Sequence, residues 1–223
     1  LNAVAATDTY GLYTSSMWSG FAACGIQRTG TPGSYTYSVA ADWANRPVNY
    51  VSCWDAVRFV NWLHNGQPTG LQDNTTTEDG AYTISGYNYY DGRTIQRNAN
   101  AKWFLPSEDE WYKAAYYKGS GQDAGYWNYP TASNTAPINV LGNPTDPGNN
   151  ATYNNNGYTI GSPYYRTEVG AHENSESAYG TYDQGGNVSE WNEAIAQQNA
   201  TYVWRGLRGG SYEMSTGLGA SYR

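Results

Sequence analysis

Apolar and polar positions fall into two stretches of helical spacing, separated by long tracts with little periodicity. In the first, Cys53, Val57, Val60 and His64, widened by Ala56 and Leu63, predict one apolar helix face. Ser52 stands before it as an N-cap, Asp55 follows three residues on to face the exposed amides, and Asn65-Gly66 predicts a left-handed stop. The second begins at Leu105-Pro106-Ser107-Glu108-Asp109-Glu110, where Ser107 and Glu110 have the spacing of a capping box. Trp111, Ala114, Ala115 and Tyr116 continue it, and Lys118-Gly119 closes it. Between the helices, residues 80–86 and 94–97 predict short strands around an Asp91-Gly92 turn, and 101–105 a further extended run. Residues 204–212 alternate like a strand lined by glycines. Residues 119–170 show little periodicity and much Asn, Gly, Pro and Tyr, a pattern that a compact domain holds in place with a metal or with aromatic clusters.

The 223 residues suffice for one sizeable core, and no composition break divides them, so a single domain over 1–223 is expected. Hydrophobic residues make up 39% and charged residues only 14%, with 26 Gly, 23 Tyr and 9 Trp, which predicts a folded, loop-rich chain dependent on aromatic packing. The formal net charge of −7 argues against general affinity for nucleic acid or anionic membranes. No stretch approaches a transmembrane length, so membrane insertion is not expected. Cys24 and Cys53 allow either one disulfide or two buried thiols. Asn-x-Ser/Thr triplets occur at Asn74, Asn150, Asn187 and Asn199.

Four blocks in order carry a resemblance to a known family. They are Pro47-Val48-Asn49-Tyr50-Val51-Ser52 leading into Asp55-Ala56; Trp103-Phe104-Leu105-Pro106-Ser107-Glu108-Asp109-Glu110-Trp111; Tyr179 through Asp183-Gln184-Gly185-Gly186-Asn187-Val188 to Trp191-Asn192-Glu193; and Arg208-Gly209-Gly210-Ser211. The chain resembles the formylglycine-generating (sulfatase-modifying factor) family, most closely a bacterial secreted branch. The resemblance implies an α+β, irregular, loop-rich fold related to C-type lectins, with two main helices, short antiparallel strands and often structural calcium. The chain opens on Leu1 without Met, so a missing N-terminal piece is expected, and relatives continue past Arg223, so the chain is expected either to be trimmed there or to depart from the family. Asn187, Val188 and Glu190 are the calcium ligands the resemblance implies here. The family's usual Trp before the Glu is Ser189, and its Ala-Asn-Tyr segment is Ala151-Thr152-Tyr153.

Catalytic relatives follow Arg-Gly-Gly-Ser with two cysteines five residues apart, which grip copper and activate oxygen. Those positions hold Met214, a neutral thioether, and Gly219, which has no side chain. A related branch holds iron with three histidines, and this sequence has only His64 and His172. Neither copper nor iron is therefore expected. Carboxylates at Glu108, Asp109, Glu110 and Asp183 could do acid–base work, but a solvated helix start accounts for the first three. The expectation is a non-catalytic extracellular or cell-surface module that binds protein, including copies of itself, or carbohydrate. Alternatives are an enzyme of altered chemistry in the same superfamily, or a retroelement-diversified receptor whose ligand face is Tyr212, Glu213, Met214, Ser215, Thr216, Leu218, Ala220, Ser221 and Tyr222. Tyr87-Asn88-Tyr89-Tyr90, Tyr116-Tyr117, Tyr126-Trp127-Asn128-Tyr129 and Tyr164-Tyr165 are candidate contact patches, because tyrosine offers rigid, amphipathic contact area.

Overall fold

The computed structural model describes residues 1–87, 92–120, 122, 124–142 and 147–222. Its elements run α1 (Ser16–Ser19), β1 (Ile26–Thr29), β2 (Thr36–Val39), α2 (Cys53–His64), α3 (Glu108–Tyr116), β3 (Glu190–Gln198) and β4 (Val203–Arg208), with a 3-10 turn at Ala41–Trp43. Both predicted helices are present, and the mixed α+β class with short strand pairs is as expected. The chain divides into two compact units, the first comprising Leu1–Ala44, Val48–Leu105 and Glu193–Arg205, the second Asn45–Pro47, Pro106–Asn192 and Gly206–Arg223.

In the first unit β1 and β2 pair antiparallel, with Ile26 opposite Val39 and Thr29 opposite Thr36. Helix α2 starts at a full capping box: the Ser52 hydroxyl accepts from the Asp55 amide, and the Asp55 carboxylate accepts from the Ser52 amide. Asn65 keeps φ −79°, and the left-handed turn comes at Gly66, φ +82°. The core beneath α2 is built on polar groups as well as apolar ones. Arg58 is 1% exposed and grips Glu78, also 1% exposed, through Nε to Oε1 at 2.7 Å and Nη2 to Oε2 at 3.0 Å. Glu78 further accepts from the Gly86 amide and the Thr77 hydroxyl, so its charge is fully hydrogen-bonded.

The strands expected at 80–86, 94–97 and 101–105 do not form. Asn61, 0% exposed, satisfies the first of these segments instead: its Nδ2 donates to the Thr77 and Tyr82 carbonyls, and its Oδ1 accepts from the Tyr82 amide. A side chain that completes the backbone hydrogen bonds leaves the segment no need of a strand partner. Arg97 fixes the next two, donating to both Glu193 oxygens at 2.9 Å and to the Leu105 carbonyl at 3.1 Å. Asp91 of the expected turn lies outside the described residues, as do Asn88, Tyr89 and Tyr90 of the first aromatic patch.

In the second unit α3 carries a second full capping box, from Ser107 and Glu110, and ends at Tyr117, one residue before the expected Lys118-Gly119 stop. Trp111, Ala115 and Tyr116 form its buried face. Residues 119–170 are held by isolated bridges, among them Tyr117 with Tyr126, Ile138 with Asn150 and Thr152 with Gly186. Strand β3 pairs with β4, and the turn that joins them, which belongs to the first unit, has Asn199 Oδ1 accepting from the Thr201 and Tyr202 amides. The strand expected at 204–212 stops at Arg208, because Gly209 and Gly210 turn to φ +85° and +69°.

Candidate functional site

The glycine motifs meet in the second unit. The Gly186 amide donates to the Gly209 carbonyl at 2.8 Å, the Asn187 amide to Thr152 at 2.7 Å, and the Tyr212 amide to Asn187 at 3.0 Å. Three stretches of backbone thus cross at hydrogen-bond distance, and at Gly186 and Gly209 the approach leaves no room for a Cβ. A Cβ on Gly186 would overlap the Thr152 carbonyl, and one on Gly209 would lie 2.6 Å from the Gln184 oxygen. Arg208, 3% exposed, anchors the motif by donating to Glu108, with Nε 2.9 Å from Oε1, while Asn192 Nδ2 donates to the same carboxylate at 2.8 Å.

Around this crossing the structure separates the sequence-predicted residues. Tyr212 and Leu218 are interior, 6% and 3% exposed, with Tyr212 packed on the rings of Tyr158 and Tyr165. Glu213, Ser215, Thr216, Ser221 and Tyr222 are exposed, while Met214 and Ala220 are partly buried. A Cβ built on Gly219 would make ordinary van der Waals contacts, 3.8 Å to Ser221 Oγ and 3.9 Å to the Asn128 carbonyl, so a side chain can be accommodated at the second cysteine position. Cys24 and Cys53 are both unbonded and buried, and burial pushes the Cys53 thiol up to about 12, which keeps it protonated at neutral pH.

Asn187 is 2% exposed, has φ +60°, and its Oδ1 has no hydrogen-bond partner. The Glu190 carboxylate accepts from Trp111 Nε1 at 2.6 Å; burial, with the nearby Asp183 charge adding to it, raises its pKa to about 7 against the pull of the Trp111 bond. A lone buried amide oxygen and a desolvated carboxylate are donors of the kind calcium takes. No group of three His, Cys, Asp or Glu able to hold a metal occurs among the described residues.

The other sequence candidates have structural partners. His64 Nδ1 accepts from the Lys102 amide at 3.0 Å, and His172 Nε2 lies 2.9 Å from the Thr152 hydroxyl. Glu110 serves the α3 cap, and Asp183 accepts from the Gly170 amide at 2.8 Å. Asn150 and Asn187 are buried, which leaves Asn74 and Asn199 as the exposed triplets. Of the aromatic patches, Tyr87 packs edge-on against Trp54, Tyr164 lies under the Arg46 guanidinium at 4.1 Å, and Tyr116, Tyr117 and Tyr126 join one continuous row of rings. Tyr112 and Tyr179 also belong to that row, and sequence reasoning missed them: one is in a helix, the other sits alone between small residues.

Residues 4–221 match the Sulfatase-modifying factor enzyme 1-like domain. The chain belongs to that family. Among solved structures it is similar to the one titled "Crystal Structure of CarF", with 21% identity, 89% of this chain and 67% of that chain covered, and a TM-score of 0.51. That likeness concerns the fold. No curated protein matches the chain by sequence. No helix among the described residues of this family member is long and apolar enough to cross a membrane.

Proposed function

We propose that this member of the sulfatase-modifying factor family is a non-catalytic binding or structural module acting outside the cell or at its surface, with protein or carbohydrate as partner. The observation that carries the reading is the pair of positions where catalytic relatives keep copper-binding cysteines: Met214 offers only a thioether, and Gly219 offers no side chain. The remaining thiols, Cys24 and Cys53, stand 29 residues apart rather than five, and burial keeps Cys53 protonated at neutral pH. Exposed Glu213, Ser215, Ser221 and Tyr222 form a polar and aromatic rim suited to contact rather than turnover.

Calcium is part of the same proposal. Asn187 and Glu190 would hold it, with Val188 contributing through its carbonyl, and its charge would stabilise the backbone crossing. The test is incubation of the chain with copper, oxygen and a Cys-x-Pro-x-Arg peptide, followed by mass spectrometry. An unmodified peptide is expected, whereas formylglycine in the product would overturn the reading.

A further inference from the structure

Five ring contacts in the second unit form one unbroken row from the interior to the surface. Trp111 to Tyr116 is 5.8 Å between centroids, Tyr116 to Tyr112 and Tyr112 to Tyr126 are each 4.9 Å, Tyr126 to Tyr117 is 5.8 Å, and Tyr117 to Tyr179 is 5.9 Å. The first two rings are 2% and 0% exposed, whereas Tyr126 is 46% and Tyr179 52% exposed. Each successive pair is in van der Waals reach, and tryptophan and tyrosine are the side chains most readily oxidised by one electron. We propose that this row carries oxidising equivalents outward and that Tyr179 and Tyr126 are the sites where the chain is cross-linked to a second copy through dityrosine.

The direction follows from where a phenolic proton can go, because an oxidised tyrosine persists as a neutral radical only after losing that proton. Tyr116 donates its hydroxyl hydrogen to the Leu218 carbonyl at 3.0 Å, a neutral acceptor that will not take the proton, and burial further disfavours its ionised form. The Trp111 N–H lies 2.6 Å from Glu190, so a proton given to that carboxylate returns to the indole nitrogen as an electron arrives from Tyr116, and the hole moves on along the row. The Lys113 ammonium lies 5.7 Å from the Tyr117 ring and disfavours a positive hole there. At Tyr126 and Tyr179 water accepts the proton, and the radical comes to rest.

The coupling step balances with a peroxide as oxidant. Two tyrosines, one on each copy, each give up one electron and one phenolic proton, and hydrogen peroxide takes both pairs to become two waters. The two radicals form one bond between ring carbons ortho to the oxygens, and the ring protons displaced there return to the oxygens as the rings become aromatic again. The proposal goes beyond the binding reading and does not depend on it, since coupling needs only an encounter between two copies.

The test is brief photochemical one-electron oxidation of the whole chain with a ruthenium trisbipyridyl complex and persulfate. Dityrosine fluorescence and dimer bands are measured, and linked peptides are mapped by mass spectrometry. Tyr179 and Tyr126 should carry several-fold more of the links than Tyr158, Tyr182 and Tyr222, which are 39%, 42% and 46% exposed and lie off the row. Tyr117→Phe keeps the packing but removes the easily oxidised ring between the two exits, so links at Tyr179 should fall several-fold while those at Tyr126 persist. Tyr179→Phe should shift the links to Tyr126. Links distributed in proportion to exposure, or a Tyr179 yield indifferent to Tyr117→Phe in a folded variant, would overturn the relay.

Discussion

The Gly186 amide and the Gly209 carbonyl lie 2.8 Å apart, which ties the Gly-Gly-Asn block directly to the Arg-Gly-Gly-Ser block. Substitution should expose the difference between a glycine demanded by that crossing and one that is not. Gly186→Ala forces a side chain into the Thr152 carbonyl at φ +82° and should cost at least about 3 kcal/mol. Gly219→Ala, where a Cβ meets only ordinary van der Waals contacts and the backbone is outside the left-handed region, should be neutral or stabilise by about 0.5 kcal/mol. Urea unfolding of the two variants measures the contrast; equal losses would show that the crossing is not what these motifs are for.

Restoring the two thiols tests whether the family's reactive position survives as a space. The double variant Met214→Cys, Gly219→Cys should fold, because Met214 is only partly buried and Gly219 has room. It should take up one Cu(I) per chain in competition with a chromogenic chelator, whereas the unaltered chain should not. Failure of the folded double variant to bind copper would mean that the pocket has been rebuilt as well as emptied.

Glu190 should give the chain a pH dependence of stability with a definite sign. Its folded-state pKa of about 7 lies above the ordinary value of 4.5, so the folded chain binds more protons than the unfolded one between those limits. Stability should therefore fall as pH rises from about 4.5 to 7 and then level, by at most about 3 kcal/mol from this group. Glu190→Gln should flatten the slope. Calcium favours the ionised carboxylate, so its stabilising effect should grow across the same interval, and thermal melts with calcium or with a chelator would show it.

The buried pair in the first unit predicts an asymmetric response. Glu78→Gln leaves Arg58 charged and enclosed with no counter-charge and one of its two hydrogen bonds to residue 78 lost, and should cost about 3–5 kcal/mol. Arg58→Met with Glu78→Gln should recover part of that loss, because no uncompensated charge remains. Chemical denaturation of the single and double variants checks the difference.

Much of the helical framework was legible because capping is local: Ser52 with Asp55 and Ser107 with Glu110 announce their helices within four residues. The glycine blocks were legible for the same reason, although Thr152, the third member of the crossing, lies far from both in sequence. Residues 80–86 misled because Asn61 of α2 supplies what a neighbouring strand would have supplied, and an alternating pattern does not reveal a side chain that imitates backbone. Strand β3 went unread because Glu, Ala and Gln favour helices in isolation, and its pairing with β4 overrides that preference. Of the residues expected to form a ligand face, Tyr212 and Leu218 are buried among exposed neighbours, which the local sequence does not announce.

None of the described arginines belongs to the exposed class, and Arg28, Arg58, Arg97 and Arg208 each bind a carboxylate directly. Asp42, Asp73, Asp109, Glu110, Glu173 and Glu176 are left facing solvent, with Lys102 and Lys113 as exposed counterweights. With a formal net charge of −7 and these carboxylates at the described surface, identical copies repel one another at neutral pH in dilute buffer. Acidification, added salt or a divalent ion bridging two carboxylates would weaken that repulsion, so the medium sets how closely two such surfaces can approach.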